Sequence, residues 1–178
     1  MIKGKDIIVV GIQAWDIEIG SNCKNIAVEF AKHNRVLYVN PPLDRISQNR
    51  EKNTDKIQKR IKIKDGLEPD LLEIGPNMWN LYPKTMIESI NWIGSTSIFG
   101  ALNKRNSRLF AADIQTAIER LQFKNFILFN DSSMFLGLHL KAFLNPEVYV
   151  YYMRDYLVKV PYWKKHGERI EPQLIKSA

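Results

Sequence analysis

The feature that most constrains the fold is a buried strand near the amino terminus that leads into a long polar loop. The strand centres on the sequence IIVV at residues 7–10, and β-branched runs of this kind are typical of strands covered on both faces in a parallel sheet. Open α/β sheets place ligands outside the carboxyl ends of such strands. The loop is therefore expected to form one wall of a cleft. It contains Gln13, Trp15, Asp16, Glu18, Gly20, Ser21 and Asn22.

A helix and a second strand follow this loop. Ser21 or Asn22 can cap the helix, whose apolar residues recur at spacings of three and four through Ala31. Residues 35–40, RVLYVN, form the next β-rich run. A strand, a helix and a strand within forty residues predict a βαβ unit with a right-handed connection.

Four later segments complete the predicted sheet. Residues 125–130 (NFILFN) and 147–153 (EVYVYYM) are buried strands, separated by a helix that runs to Leu144. Residues 71–75 and 78–82 flank a Gly-Pro-Asn turn and predict a hairpin at the sheet edge. The fold class is therefore α/β, with a mostly parallel central sheet.

Three of the predicted strands end in polar residues. Ser21 and Asn22 lie beyond the first strand, Asp131 beyond NFILFN, and Asp155 beyond EVYVYYM. Because parallel strands share one carboxyl edge, we expect these residues to lie on a common rim.

Two segments are harder to assign. Residues 44–70 are rich in charge and poor in periodic apolar residues, which predicts a mobile excursion with one short helix near residues 55–60. Residues 84–108 crowd large apolar side chains beside basic ones. They form either an amphipathic helix pair that docks on a lipid or other apolar surface, or part of the core. Residues 109–121 predict a helix that faces the core.

Composition narrows the class of protein. The 178 residues suit one domain, and the formal charge of +7 suits nucleic acid, an anionic membrane or a phosphorylated ligand. Acidic residues interrupt the basic segment at residues 45–64, and no aromatic residue in it could stack on a base, so nucleic acid is not expected. Cys23 is the single cysteine. Without a disulfide, signal peptide or membrane-spanning run, a cytoplasmic protein is expected, soluble or peripheral to a membrane.

The chain runs in order through the first strand, the Gly20-Ser21-Asn22 loop, a helix, VLYVNPP, the long excursion, another helix, FILFND and VYVYYMRD. This order resembles the amino-terminal half of a bacterial GT-B glycosyltransferase, over nearly the whole chain. The resemblance implies a single Rossmann-like three-layer sandwich over residues 1–178. It also implies that this domain holds the acceptor, while a carboxyl-terminal domain carries most of the nucleotide-sugar site. The isolated chain is then expected to be inactive.

The implied activity is transfer of a sugar from a nucleotide-sugar to a cell-envelope or lipid-linked saccharide. In an inverting enzyme a carboxylate takes the proton of the acceptor hydroxyl, and Asp155 is the first candidate for this role and Asp131 the second. In a retaining enzyme either residue would instead orient the acceptor through hydrogen bonds. No cofactor or metal is expected. The acceptor-binding residues implied are Trp15, Gly20, Ser21, Asn22 and Arg154.

Each of these residues also has a structural alternative. Asp131, Ser21 and Asn22 can cap helices, Asp155 can pair with Arg154, and Trp15 can be a lid packed on the core. The histidines have no metal partner at useful spacing. His33 and His139 are expected to be structural, and His166 to be solvated.

Two broader alternatives stay open. Residues 156–165, YLVKVPYWKK, mix aromatic and basic residues and predict membrane contact together with residues 84–108, unless Tyr162 and Trp163 pack on the sheet. The competing function is a stand-alone Rossmann-like domain that binds a nucleotide or another phosphorylated small molecule. The first strand is not followed by G-x-G-x-x-G, which disfavours a dinucleotide site.

Overall fold

The computed structural model describes residues 2–178, which form a six-stranded sheet covered by helices on both faces. The strands are β1 (Asp6–Gly11), β2 (Arg35–Val39), β3 (Leu43–Asp44), β4 (Leu71–Gly75), β5 (Met78–Leu81), β6 (Met86–Ile87), β7 (Ile127–Asp131) and β8 (Val148–Tyr152). The helices are α1 (Asn22–Ala31), α2 (Arg45–Arg50), α3 (Asp55–Lys64), α4 (Thr96–Leu121), α5 (Met134–Gly137), α6 (Leu140–Leu144) and α7 (Pro161–Ser177).

The strand order in the main sheet is β4-β5-β2-β1-β7-β8. All neighbours are parallel except β4, which pairs antiparallel with β5 at the sheet edge. In the centre, Ile8 lies opposite Leu37 on one side and Leu128 on the other. These observations confirm the α/β Rossmann-like sandwich and the edge hairpin that the sequence predicts. The two short strands β3 and β6 pair separately, outside the main sheet.

The two faces of β1 pack against different helices, because side chains alternate along a strand. Ile8 and Val10 join the core beneath α4, and Ile7 and Val9 join the core beneath α1. All four are fully or almost fully buried. The IIVV sequence is therefore apolar without alternation because both faces of this strand are covered.

Of the two alternatives for residues 84–108, the amphipathic helix pair is wrong. One helix, α4, begins at Thr96 and runs through to Leu121, and the hydroxyl of Ser95 caps its first turn. Residues 88–95 are an irregular segment from which Ile90 and Ile93 reach the core. The core alternative therefore holds for these two side chains.

Residues 44–70 contain two helices where the sequence predicts one. Asp44 caps α2 and Thr54 caps α3, which is longer than the predicted helix at residues 55–60. Ile57, Arg60 and Ile63 of α3 are buried. The mobility of this segment stays a prediction.

One predicted helix near the carboxyl terminus differs from expectation. The predicted helix after Asp131 is divided into α5 and α6, and the last helix, α7, begins with Pro161 in its first turn. Proline suits that position because its missing N–H would have no helical partner there.

Candidate functional site

The candidate site lies at the carboxyl edge of the sheet, where the strand order changes direction. The chain passes from β1 to β2 on one side, and β7 lies on the other side of β1. Ligands of open α/β sheets bind in the crevice beyond this point. Two groups of side chains meet the crevice, one on the α1 face of the sheet and one on the α4 face.

The α1 face carries the carboxylates that the sequence singles out. The guanidinium of Arg154 bridges them, with 3.1 Å from Nη1 to Asp131 Oδ2 and 3.0 Å from Nε to Asp155 Oδ2. The side chain of Asp131 is 1% exposed, whereas that of Asp155 is 60% exposed. The predicted common rim is therefore present, and of the two carboxylates Asp155 is the one that solvent reaches.

Asp131 is held in a confined space beside Cys23 of α1. A Cβ added to Gly11 would lie 2.8 Å from Cys23 Sγ and 3.6 Å from Asp131 Cβ. Burial raises the pKa of Asp131, although the charge of Arg154 acts in the opposite direction. Burial also raises the pKa of Cys23 to about 12, so its thiol is protonated and unreactive at neutral pH. Asp131 Oδ1 is buried and has no hydrogen-bond partner among residues 2–178.

The capping alternatives separate clearly. The hydroxyl of Ser21 accepts a hydrogen bond from Lys24 N, so this residue caps α1. Asp131 caps no helix, because the amide oxygen of Asn130 accepts the hydrogen bond from Ser133 N. Asn22 is exposed in the first turn of α1.

The backbone of the loop after β1 is held by hydrogen bonds to the side chains of Tyr38 and Asn40. Trp15 N donates to Asn40 Oδ1 at 2.7 Å, and the hydroxyl of Tyr38 donates to Gln13 O at 2.9 Å. The Trp15 ring meets Tyr38 edge-on, with centroids 5.1 Å apart, which fits the lid alternative. Gly20 is exposed and has no atom near the position of a Cβ. A ligand role for these residues stays a prediction.

The α4 face holds a cavity of about 630 Å³ that the sequence does not predict. Its lining comes from the ends of β1 and β2, from Asp44 and α2, from residues 87–92, from α4 and α5, and from the start of α7. Asp131, Arg154, Asp155, Trp15 and Ser21 lie outside this lining. The structure therefore places the predicted residues and the cavity at the same sheet edge but on opposite faces.

Aromatic rings form much of the cavity wall. The ring centroid of Phe135 lies 5.0 Å from that of Trp163 and 5.2 Å from that of Phe99. Trp92 and Tyr162 are largely exposed and also contribute to the lining. Such rings offer flat apolar faces to a ligand while their edges pack against each other.

Three polar side chains of the lining have acceptor atoms without a protein partner. Asn103 is 2% exposed and donates to Phe135 O at 2.7 Å, while no residue in the range 2–178 donates to its Oδ1. Asn91 donates to Tyr162 O, and its Oδ1 is buried and unpaired. The hydroxyl of Ser133 likewise makes no hydrogen bond within the described chain. A ligand that carries O–H donors can pair with Asn103 Oδ1 and the hydroxyl of Ser133, whereas Asn91 Oδ1 is closed to solvent.

The two carboxylates of the cavity lining are already engaged. Asp44 accepts hydrogen bonds from Ser47 and Ser89, which lower its pKa despite the opposing effect of partial burial. Glu88 pairs with Arg45, whose hydrogen bonds lower the pKa of Glu88. Neither group is suited to take a proton at neutral pH.

His166 is buried behind the cavity, so the prediction that it is solvated is wrong. Its ring stacks on Phe99 with centroids 3.8 Å apart, and Nε2 lies 2.9 Å from Ile93 O. Burial lowers the pKa of His166, which keeps the ring neutral at physiological pH. It supports the cavity wall and does not reach the lining.

The sequence of α4 contains a weak pattern that could have indicated the cavity. Asn103, Asn106 and Ser107 are buried polar residues on the same side of the helix as Phe99 and Phe110. Buried polar residues within an apolar helix face are informative because they need partners. The spacing alone does not show whether the partner is protein, as for Asn106 and Glu88, or a ligand.

Within residues 2–178, no group of three or more histidine, cysteine, aspartate or glutamate side chains could hold a metal ion. The helices of the same residues include none with the length and hydrophobicity to span a bilayer. Comparisons with protein-family models, curated proteins and solved structures find no match for this chain.

Proposed function

We propose that this chain is the acceptor-binding domain of a glycosyltransferase that transfers a sugar from a nucleotide-sugar to a cell-envelope or lipid-linked saccharide. The observation that carries the proposal is the aromatic cavity at the carboxyl edge of the sheet. Its volume of about 630 Å³ falls in the range of small-molecule sites.

The chemistry of the cavity matches a saccharide. A sugar ring presents C–H groups that pack on aromatic faces such as Phe135 and Trp163, and hydroxyl groups that donate hydrogen bonds. Asn103 Oδ1 and the hydroxyl of Ser133, which have no donor among residues 2–178, can accept these bonds.

The proposed reaction requires a base and a donor site in addition to the cavity. In an inverting transfer the acceptor oxygen attacks the anomeric carbon, the bond to the nucleotide diphosphate breaks, and the hydroxyl proton passes to a carboxylate. Asp155 is the preferred base because its carboxylate is exposed, and Arg154 holds it in place. The donor site belongs to a second Rossmann-like domain, as in the GT-B arrangement.

The competing function is binding of a nucleotide or phosphorylated small molecule by this domain alone. One observation favours it, since the guanidinium of Arg50 reaches the cavity lining and no acceptor among residues 2–178 pairs with it. Phosphate sites in this fold usually add a glycine-rich turn at the first helix. Gly20 is the single glycine in the loop before α1, and no neighbouring atom approaches the position of its Cβ.

A transfer assay tests the proposal. The product of the complete reading frame is incubated with a panel of nucleotide-sugars and soluble saccharide acceptors, and the release of nucleoside diphosphate is followed. We expect turnover with at least one pair. Absence of turnover over the whole panel, with nucleotide binding by these residues alone, would favour the competing function.

Two variants locate the acceptor in this assay. We expect Trp163→Ala and Asn103→Leu each to raise the KM for the acceptor by about tenfold. This corresponds to a loss of about 1.4 kcal/mol in binding free energy, which is the contribution of one hydrogen bond or one ring contact. Trp15→Ala is the matched aromatic control on the α1 face and should leave this KM within about twofold. The reverse pattern would place the acceptor on the α1 face.

A further inference from the structure

We propose that the mouth of the aromatic cavity docks on an anionic lipid bilayer. The surface is defined by Trp92 and Tyr162 together with Lys164 and Lys165, and is called the docking surface below. The inference goes beyond the proposed function, because a soluble saccharide could enter the cavity without any membrane.

Large apolar side chains project into solvent at this surface. Trp92 is 74% exposed, and Tyr162 is more than half exposed. The indole N–H of Trp92 donates to Ser89 O at 2.8 Å, so the ring is held in place although it is exposed. Tryptophan and tyrosine with one polar end are the side chains that favour the interface between lipid and water.

The docking surface is assembled from two segments that are far apart in sequence. The side chain of Asn91 donates to Tyr162 O, and Lys165 Nζ donates to Trp92 O at 2.7 Å. These two bonds join residues 91–92 to the start of α7. Trp92 and Tyr162 also line the cavity, so the docking surface adjoins the cavity.

The charge at this surface selects an anionic partner. Lys164 and Lys165 are exposed, and Arg50 adds a cation at the cavity. The nearby carboxylates of Asp44 and Glu88 are already bound by serine hydroxyls and by Arg45. A second copy of this chain would present the same basic surface and the same formal charge of +7, and would be repelled. An anionic bilayer combines the complementary charge with an apolar interior.

Vesicle sedimentation tests the inference. The chain is mixed with phosphatidylcholine vesicles that contain about 30% phosphatidylglycerol, and with pure phosphatidylcholine vesicles. We expect binding to the anionic vesicles that weakens strongly when salt is raised from about 50 to about 500 mM. Brominated lipids should quench the fluorescence of the wild-type chain more than that of Trp92→Ser.

Matched variants distinguish the docking surface from general stickiness. Lys165→Glu should weaken binding at least fivefold, since one basic residue near an anionic bilayer contributes about 1 kcal/mol. Trp92→Ser should also weaken it. The controls are Lys124→Glu and Leu67→Ser, which change an exposed basic and an exposed apolar residue outside the cavity lining.

The inference is overturned if the wild-type chain does not bind anionic vesicles, or if the control variants reduce binding as much as those of the docking surface. Capture of a protein partner by the same residues without vesicle binding would also overturn it. None of these outcomes affects the test of the proposed function, because the transfer assay uses soluble saccharide acceptors and no membrane. Conversely, vesicle binding without transfer would leave the docking surface in place and contradict only the glycosyltransferase.

Discussion

Asp131 is the residue whose environment is least suited to its charge. Its carboxylate is almost completely buried, one oxygen has no partner in the described chain, and Arg154 is the cation that offsets its charge. A charge that lowers stability is typical of functional sites more than of structural ones. This fits the role predicted for Asp131 beside Asp155, without establishing which of the two takes a proton.

The pH dependence of stability should report the burial of Asp131. Because burial raises its pKa in the folded state, the folded protein holds this proton more tightly than the unfolded chain does. The stability it contributes is complete below the unfolded pKa of about 3.9 and is lost as pH rises through the folded pKa. Relative to wild type, Asp131→Asn should therefore gain stability as pH rises. Urea unfolding across this range measures the difference, and a difference that stays constant or falls with pH would contradict it.

Removal of the positive charge of Arg154 should destabilise the fold at neutral pH. Arg154→Met leaves the Asp131 carboxylate unpaired, and we expect a loss of about 3 kcal/mol in the free energy of unfolding at neutral pH. The loss should be much smaller in an Asp131→Asn background. Lys5→Met is the control, since it removes an exposed pair with Glu147 and should cost under about 1 kcal/mol. Equal losses from both substitutions would show that the buried pair has no special role.

Gly11 is required by the close approach of α1 to the end of β1. In Gly11→Ala the new methyl group would meet Cys23 Sγ at 2.8 Å, which should destabilise the fold by about 1–3 kcal/mol. Gly20→Ala meets no atom within 4 Å and should be nearly neutral. Thermal unfolding of both variants checks this contrast. A neutral Gly11→Ala would mean that α1 can move away from the sheet at little cost.

Among the elements, α3 links the long excursion to the site. The guanidinium of Arg60 is buried, donates to Pro41 O at 2.7 Å and lies 3.7 Å from Asp16 Oδ1. It thus contacts both the loop after β1 and the turn after β2. Ile57 and Ile63 bury the same face of the helix.

Hydrogen exchange should divide this excursion into two parts. We expect slow exchange for the amides of α3, because its apolar face is buried, and fast exchange for residues 45–54, because α2 has no buried residue. Arg60→Met should accelerate exchange in α3 and in the loop at residues 12–20. Uniformly fast exchange over residues 44–70 would instead support a mobile excursion throughout.

The strands were predictable because burial on both faces leaves an unmistakable apolar run, as in IIVV and NFILFN. The helices were harder to predict from the sequence than the strands. Nothing local in residues 84–95 distinguishes an amphipathic helix from a segment that is held by Ile90 and Ile93 in the core. His166 appeared solvated because its sequence neighbours are charged, and its burial depends on the distant ring of Phe99.

At the scale of the whole molecule, the sheet brings two chemically different faces to one edge. The polar rim of Asp131, Arg154 and Asp155 was predictable, since strand ends in a parallel sheet share an edge. The cavity was not, because its walls come from α4, α5, α7 and the segment after β6, whose mutual positions depend on tertiary packing. In the proposed reaction the acceptor must extend from the cavity over this edge, because Asp155 has to lie within hydrogen-bond reach of the hydroxyl that it deprotonates.

The most direct measurement of the central claim is an NMR titration of the labelled chain with disaccharides of glucose, galactose, mannose and N-acetylglucosamine. If the cavity binds a saccharide, the side-chain amide of Asn103 and the indole N–H of Trp163 will shift in a saturable manner, and the indole N–H of Trp15 will not. Saturable shifts confined to Trp15 and Arg154, or the absence of any saturable shift, would contradict the account.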